Sequence, residues 1–543
     1  MRRYLLPLFS RFVNFATRFV DAICGFLLLP PLATRLLQWL LPLEERAVLR
    51  AAYKATGLRD YGEGSFLAPL RLLLKGLEEE ARLSAFGRIL IWNDVQRLLR
   101  YRLQLEDTRK RHPEIEKEKI KAPVFIVGLP RTGTTFLFNL LALDDSLFRS
   151  PLTWEVHHMH PPPDKTCYDT DKRIGETQAF LEGVSALLPT FQALHPVTAT
   201  GPQECMGLMM YDFTSFAFPT IHFNIPTYFD WYLTSDLTPT YRFLRWQLQY
   251  LQWKGPKAER WLLKCPAHLF SLPSLMAAFP DAELIFTHRN PLTVLASAHS
   301  LIKGIRSIHS DHVDTAEISR DWVPNVAHAL AEMIRLRGIE GAYAEREGAA
   351  PLRNVEGKEE EKAGSNGFVT VTKGEEEVGD EVGGSESIVT SNGSRSGGSF
   401  PTGFTSSNKS NSSNGSMSNG NNGNLSDGSN KRISSNASNG STDSNKLPAA
   451  GSADTLMWQS QAVDVRYNDL VSDPMATVRR IYRDLLKRQL DDDVADKMRA
   501  YLAANSKEKR PRHHYKWEDT LLDREEEKKR FKFYIDAFSL DSE

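Results

Sequence analysis

A glycine-anchored loop with one arginine and two threonines is the part of this sequence best suited to chemistry. In VFIVGLPRTGTTFL, residues 124–137, an apolar run of strand type leads through Gly128 and Gly133 into a helical pattern. The spacing resembles a phosphate-binding loop, G-x-x-x-x-G-K-[ST], but Thr134 stands where a nucleotidase has its lysine. Arg131 is the only cation inside the loop. Backbone N–H groups at a helix start bind anions, so the loop predicts an anion site without the lysine that a triphosphate requires.

A second group of polar residues follows in the segment 260–302. Two apolar runs of strand length are each followed by a basic residue, since Lys264 ends the first run and Arg289 follows the second. Pro291 then stands where a helix favours its first residue. Ser297 comes eight residues after Arg289, which is close to two helical turns. The pattern therefore predicts that Arg289 and Ser297 lie near one face of a helix start.

Read together, these two segments resemble the cofactor site of sulfotransferases that use 3'-phosphoadenylyl sulfate (PAPS). The resemblance covers residues 43–347 and 457–538 and is closest to the bacterial-type and tyrosylprotein-like branch of the P-loop sulfotransferases. It implies an α/β fold of three layers with a central parallel sheet and a helical region that covers the substrate. The residues implied to bind the cofactor are Arg131, Thr132, Gly133, Thr134 and Thr135 at the 5'-phosphosulfate, Arg289 and Ser297 at the 3'-phosphate, and Tyr467 near the adenine.

The catalytic residues implied by the resemblance include a lysine and a general base. Lys264 resembles the lysine of the K-T-H segment of cytosolic sulfotransferases, and it is expected to reach the sulfuryl or bridging oxygen. For the base, Glu155 is the first candidate, because related enzymes carry a catalytic glutamate shortly after the loop helix. His268 is the rival, although two more residues separate it from Lys264 than in K-T-H. Glu204 and His157 remain further alternatives, since any carboxylate or imidazole within reach of the acceptor proton can serve.

Composition limits the partners of the chain. The 67 basic and 68 acidic residues give a net charge of −1, so nothing global favours a nucleic-acid partner. The four cysteines form no C-x-x-C pair and indicate neither zinc nor a disulfide framework. No metal is expected at the site. The acceptor is left open among small molecules, lipids and carbohydrates, with a protein tyrosine as a further candidate, because a fold and a donor site do not fix the acceptor pocket.

Residues 1–42 form a basic segment rich in Leu and Phe. A signal anchor, an organellar targeting peptide and an amphipathic segment in the membrane interface are three interpretations of it. Because the uninterrupted apolar stretch is shorter than the ~20 residues of a membrane span, we predict a membrane-associated or targeting segment. The matching locations are a membrane, with the Golgi as one candidate, and the cytoplasm or an organelle as alternatives.

Residues 348–453 differ sharply in composition from the rest of the chain, being rich in Gly, Ser, Asn and Glu. Such a segment buries too little apolar area to offset the entropy of ordering it, so we predict a disordered insertion. The insertion would divide one sulfotransferase domain into a first part, residues 43–347, and a second part, residues 454–543. A long surface insertion adds little to loop-closure cost, so the fold can contain it.

The region between residues 202 and 252 is rich in aromatic residues and predicted to be helical. Its aromatic side chains could form an apolar acceptor pocket or simply pack between helices, and packing is the interpretation favoured by the usual role of aromatics in cores. Two rival functions remain for the whole chain. One is a non-catalytic scaffold that binds a nucleotide, and the other is a P-loop kinase or nucleotidase, against which the missing loop lysine argues.

Overall fold

Short apolar runs form a parallel sheet of five strands in the order β2-β3-β1-β4-β5. The computed structural model describes residues 30–187, 192, 196–339, 460–505 and 516–540. The strands are β1 Val124–Val127, β2 Phe148–Arg149, β3 Arg260–Lys264, β4 Glu283–His288 and β5 Ala462–Arg466. The central parallel sheet expected from the sequence is thereby confirmed.

Every residue of β1 is buried, as is typical of a parallel strand covered on both faces. Alternate side chains enter two different cores: Phe125 and Val127 belong to one buried cluster, whereas Val124 and Ile126 belong to the other. Helices provide the remaining residues of both clusters. The sheet is therefore the middle layer of three, and its central strand carries the loop that begins at Gly128.

Helices surround this sheet in the described residues. Before β1 they are α1 Pro30–Leu40, α2 Glu45–Thr56, α3 Leu67–Glu79 and α4 Ala85–Arg111. Between β1 and β3 follow α5 Thr134–Leu141, α6 Thr153–His157, α7 Lys172–Leu187, α8 Cys205–Met209, α9 Pro226–Thr234 and α10 Thr238–Lys254. The rest are α11 Leu272–Ala278, α12 Pro291–His309, α13 Thr315–Leu336, α14 Tyr467–Ser472, α15 Pro474–Asp484, α16 Asp492–Ala504, α17 Arg524–Arg530 and α18 Lys532–Phe538.

Two helices begin at the candidate site, and the sequence explains where each of them starts. Helix α5 starts directly after Gly133, which adopts the left-handed conformation. Helix α12 starts at Pro291, as predicted, and the Asn290 side chain accepts a hydrogen bond from the Leu292 N–H at 3.0 Å. Such an N-cap satisfies one of the donors that a helix start leaves unpaired. Both helices therefore begin at a fixed residue beside the carboxyl ends of β1 and β4.

The aromatic region between residues 202 and 252 packs mainly into the protein core, as favoured above. Its fully or largely buried members are Phe213, Phe216, Phe218, Tyr228, Phe229, Tyr232 and Tyr241. Phe218 also lines the cleft described below. These aromatics therefore stabilise the helical region through packing more than they shape an acceptor pocket.

Two segments predicted from composition fall largely outside the described residues. Of residues 1–42, the structure describes 30–42, where α1 leaves Leu36, Trp39 and Leu40 exposed. Residues 348–453 are wholly outside the described ranges. Across the described part of the chain, no helix combines the length and the apolar character needed to cross a membrane. The membrane association of residues 1–42 and the disorder of residues 348–453 stay predictions.

Candidate active site

The loop between β1 and α5 has a conformation that requires glycine at one position. Gly133 has φ +87°, and a Cβ there would lie 3.0 Å from the Leu470 side chain and 3.2 Å from the Tyr467 ring. Arg131 also has positive φ, at +70°. Alternating left-handed residues turn successive N–H groups towards one point, which is the geometry of an anion-binding loop. The first turn of α5, with Thr134 and Thr135, adds donors that have no partner within the helix.

Thr132 supports the loop from beneath. Its hydroxyl donates to the Leu129 carbonyl at 2.7 Å and lies 2.7 Å from the Thr287 hydroxyl, and the residue is fully buried. The Thr132 side chain therefore links the loop to the end of β4 through hydrogen bonds. Thr132 does not line the cleft and its side chain is already paired, so the structure places this predicted cofactor residue behind the loop and not on the surface that a ligand would contact.

Arg131, Arg289, Ser297 and Tyr467 form one group beside the loop. Arg131 Nε donates to Ser297 Oγ at 3.0 Å, and Arg289 Nη1 donates to the Arg131 carbonyl at 3.0 Å. The Arg289 guanidinium lies 3.9 Å from the centroid of the Tyr467 ring. Residues from the loop, the end of β4, α12 and α14 therefore meet at one place. Two guanidinium groups close to a helix N-terminus make this place favourable for a phosphate.

Lys264 connects the loop to the opposite wall of the cleft. It ends β3, which pairs with β1 through Ile126, and its side chain is buried. The Lys264 ammonium donates to the Thr135 hydroxyl at 3.2 Å and to Glu204 Oε1, with which it forms an ion pair. Glu204 stands at the N-terminal end of α8. Lys264, Thr135 and Glu204 all line the cleft, so this cation and this carboxylate are both within reach of a bound ligand.

The structure does not place Glu155, the first candidate for the base, on the cleft wall. Glu155 is 1% exposed. Its Oε1 accepts from Arg149 Nη2 at 2.7 Å and its Oε2 accepts from the Leu152 N–H at 2.9 Å. A glutamate at the third position of α6 commonly closes back on the helix start in this way. Both carboxylate oxygens of Glu155 are thus used to join β2 to α6.

The histidine candidates are poorly suited to a general base near neutral pH. His268 is fully buried, its Nδ1 lies 2.7 Å from the Tyr241 hydroxyl, and burial lowers its pKa to about 3. His157 does line the cleft and stacks on Phe180 with ring centroids 4.4 Å apart. Burial, followed by the nearby Arg97, also lowers the pKa of His157 to about 3. A base works best with a pKa near the working pH, so both imidazoles are weak candidates.

A cleft of about 1900 Å³ opens in front of the loop. This is larger than the ~300–1,000 Å³ of a typical small-molecule pocket, so it has room for a nucleotide and an acceptor together. Its lining includes Arg131, Gly133, Thr134, Thr135, Glu204, Lys264, Arg289 and Tyr467 at the site just described. It also includes apolar residues of α4 and α12 that were not predicted from the sequence. Their helical spacing was visible, but it could not be distinguished from the spacing of a core face.

The described residues contain no group of three or more His, Cys, Asp or Glu side chains arranged to hold a metal ion. The positive charges of the candidate site are instead those of Arg131, Arg289 and Lys264. These come from three different elements: the loop, the end of β4 and the end of β3.

Comparison with known proteins agrees with this geometry. The sequence model described as "Sulfotransferase family" matches residues 123–339, which hold both the loop and the Arg289–Ser297 segment. The omega-hydroxy-beta-dihydromenaquinone-9 sulfotransferases Stf3 of Mycobacterium bovis and Mycobacterium tuberculosis are 28% identical to the chain over 200 residues. That alignment covers 34% of this chain and 47% of each relative, so the chain spans about half the length of the curated relatives it matches.

Two solved structures share the fold. The sulfotransferase STF1 of Mycobacterium tuberculosis H37Rv superposes with a TM-score of 0.59 at 22% identity, over 90% of this chain and 98% of that one. The sulfotransferase STF9 of Mycobacterium avium superposes with a TM-score of 0.63 at 21% identity, over 92% and 97%. All these relatives are mycobacterial and give no support to the Golgi location. The family match falls on the loop and on the Arg289–Ser297 segment, whose side chains meet in the fold, so residues 123–339 match the sulfotransferase family at the candidate site itself.

Proposed function

We propose that this protein transfers a sulfuryl group from PAPS to a hydroxyl, or an amine, of an acceptor held in the cleft. The observation that carries the proposal is the meeting of Arg131, Arg289 and Ser297 beside the first turn of α5. A donor with phosphate groups at both ends of its ribose needs two anion sites close together. The loop with α5 supplies one, and Arg289 with Ser297 supplies the other.

The residues present suit this donor. The loop and the first turn of α5 would hold the 5'-phosphosulfate through N–H groups and through Thr134 and Thr135. Ser297 and Arg289 would hold the 3'-phosphate, and Tyr467 would stack on the adenine. The Arg289 guanidinium lies against the Tyr467 ring. The residues proposed to bind the 3'-phosphate and the adenine therefore form one continuous surface. The donor supplies the sulfuryl group and leaves as adenosine 3',5'-bisphosphate.

Lys264 is proposed to stabilise the negative charge that develops on the oxygen bridging sulfur and phosphorus. Its ammonium contacts the Thr135 hydroxyl at the start of α5, where the 5'-phosphosulfate would be held. A buried cation next to the site of charge development acts more strongly than one in water. Lys264 thereby takes the electrostatic role for which the loop itself has no lysine.

Glu204 is proposed as the general base in place of Glu155. It lines the cleft and contacts Lys264, whereas both oxygens of Glu155 are held by Arg149 and the Leu152 N–H. Glu204 would take the proton of the acceptor hydroxyl as the new O–S bond forms and the bond to the leaving phosphate breaks. Neither histidine candidate competes well, because burial lowers the pKa of both imidazoles far below neutral pH.

The acceptor of the Stf3 relatives is, by their name, an omega-hydroxylated menaquinone. For this chain we propose only the broader class here, a small or lipid molecule that carries a free hydroxyl.

The test is a calorimetric titration of the full-length protein with adenosine 3',5'-bisphosphate and, separately, with ATP and Mg²⁺. Micromolar affinity for the bisphosphate with weak ATP binding would support the proposed donor. Preference for ATP would refute it and favour the kinase or nucleotidase. A scaffold would bind the bisphosphate but transfer no ³⁵S from labelled PAPS to any hydroxylated acceptor tested, and that result would refute the catalytic part of the proposal.

A further inference from the structure

One side of the cleft is lined by apolar residues of two helices. On α12, Leu301, Ile305 and Ile308 line it, and on α4, Phe86 and Leu90 do so. We call these five residues the apolar arm. The residues of α12 follow Ser297 at intervals of four, four and three, so all four lie on one face of the helix. The apolar arm therefore lies on the same face of α12 as Ser297, and it lines the same cleft as Arg131 and Arg289.

Helix α4 repeats the same spacing on its own face. Phe86, Leu90, Asp94 and Arg97 all line the cleft, again at intervals of four, four and three. The charges of the last two residues are paired, because Arg97 Nη2 donates to Asp94 Oδ1 at 2.6 Å. This wall thus presents apolar side chains and a neutralised ion pair, which a hydrocarbon chain can contact at little electrostatic cost.

The length of the apolar arm follows from helix geometry. Leu301 and Ile308, the first and last residues of the arm on α12, are seven residues apart, which at ~1.5 Å per residue is about 10.5 Å along the helix axis. Near the far end, the rings of His222 and His309 lie 5.4 Å apart. Burial lowers the pKa of both, that of His309 to about 3, so they are neutral rings at physiological pH.

The apolar arm is not part of the protein core. All five residues are only partly buried, and none belongs to either buried hydrophobic cluster or to the residues packed against those clusters in the described chain. Apolar side chains that face a cleft and not a core remain in contact with water until a ligand covers them. Their burial by an apolar ligand is favourable by ~25 cal/mol per Å² of apolar surface.

We propose that the acceptor is a lipid alcohol whose apolar chain occupies the apolar arm while its hydroxyl reaches Glu204, which lines the same cleft. This inference rests on the proposed function and adds the chemical class of the acceptor. A polar acceptor such as a sugar would leave its hydroxyl groups without partners along the arm. A chain that fills the arm instead gains affinity with each buried methylene, up to the length that the arm can hold.

The test measures binding of linear primary alcohols, from butanol to tetradecanol, to the full-length protein saturated with adenosine 3',5'-bisphosphate. Affinity is expected to rise about fourfold per added methylene, the equivalent of ~0.8 kcal/mol, and then to level off. An affinity independent of chain length would overturn the inference. Saturation with the bisphosphate is measured first, so a wrong acceptor class is distinguished from a wrong donor.

A series of variants tests where the hydrocarbon chain of the alcohol binds. Ile305→Trp and, independently, Leu90→Trp place a large ring in the apolar arm from its two walls. Each is expected to weaken binding of the longest alcohols at least tenfold while leaving butanol and bisphosphate binding unchanged. Ser307→Trp adds the same ring at an exposed position of α12 outside the cleft lining and is the matched control. Equal effects of Ile305→Trp and Ser307→Trp, or unchanged affinity in both arm variants when bisphosphate binding shows them folded, would overturn the assignment.

Discussion

Replacing each of two glutamates by glutamine separates the proposed base from a structural carboxylate. Glu204→Gln keeps the shape of the side chain and an oxygen that can accept from Lys264, but it removes the proton acceptor. Glu155→Gln keeps the shape too, but it breaks the buried ion pair with Arg149, whose atoms are 2.7 Å apart. Both changes remove one negative charge, so each variant is the control for the other.

The expected effects of the two variants differ in kind. Loss of a general base typically lowers turnover ~10²–10⁴-fold, so Glu204→Gln is expected to lose kcat by this factor and to keep its affinity for adenosine 3',5'-bisphosphate. Glu155→Gln leaves the buried Arg149 guanidinium without its counter-charge, with only the Leu251 and Pro256 carbonyls still accepting from Nη1, and breaking such a buried pair costs about 3–5 kcal/mol of folding stability. Its main effect should therefore be a lower Tm, with kcat little changed in the folded fraction.

The assay follows transfer of ³⁵S from labelled PAPS to the alcohol that binds best in the series above. Initial rates give kcat, calorimetry with the bisphosphate gives donor affinity, and thermal unfolding gives Tm for the same preparations. An active Glu204→Gln protein would remove Glu204 from the base role. A Glu155→Gln protein with normal Tm and a kcat reduced 10²-fold or more would return that role to Glu155.

Three further perturbations test the rest of the site and the sheet that supports it. Arg131→Ala should weaken binding of adenosine 3',5'-bisphosphate about tenfold or more in calorimetry, because a charge-assisted contact is worth ~1.5–3 kcal/mol. Gly133→Ala should also weaken it, because φ of +87° costs a residue with a Cβ ~1–2 kcal/mol. Asp464→Asn should lower Tm at pH 7. Burial alone would raise the pKa of Asp464, but hydrogen bonds from His288 and Arg337 hold it well below its usual range. Its stabilising effect is thus present above the unfolded pKa of ~3.9 and is lost as pH falls further, so the Tm difference should shrink only below about pH 4.

Two control variants and two contrary results accompany these predictions. Arg320→Ala removes an exposed positive charge away from the cleft, and Gly175→Ala adds a methyl group in α7 where nothing lies within 4 Å. Neither should change bisphosphate affinity, and an effect equal to that of Arg131→Ala or Gly133→Ala would show that the assay reports general destabilisation. A Tm difference for Asp464→Asn that is undiminished at pH 2 would contradict the assigned pKa direction.

The parts of the site that were predicted from the sequence are those fixed by the chain's local order. The loop, its glycine and the start of α5 lie in one continuous segment, so their residue types define both the conformation and its anion-binding role. The Arg289–Ser297 pair was implied by the family resemblance, and its spacing across the helix start at Pro291 agrees with the contact of Ser297 with the loop. The carboxyl ends of parallel strands lie at the same edge of a sheet. Once β1 and β4 are recognised as parallel strands, the loop and the Arg289–Ser297 segment are therefore expected to lie close together.

The direction of a side chain was not predictable in the same way. Glu155 was chosen because of its position after the loop helix, but Arg149 and the Leu152 N–H hold its carboxylate inside the protein. Glu204 was one of the alternatives, but it precedes α8 in a stretch whose pattern fixes no conformation, so its contact with Lys264 could not be predicted. The spacing of Leu301 and Ile305 fits one helix face, but spacing alone does not show that this face borders a cleft.

The fold places positively charged side chains at the candidate site without a lysine in the loop itself. In this site Arg131 comes from the loop, Arg289 follows β4, and Lys264 reaches Thr135 from the end of β3 at 3.2 Å. A loop lysine would place its cation along the phosphate chain of a triphosphate, whereas here one cation belongs to the loop and the other two come from the ends of β3 and β4. Their arrangement depends on the strand order β3-β1-β4, which puts the two flanking strand ends on either side of the loop. Cations on both sides of the loop would suit the donor proposed above, which carries anionic groups at two positions of one nucleoside.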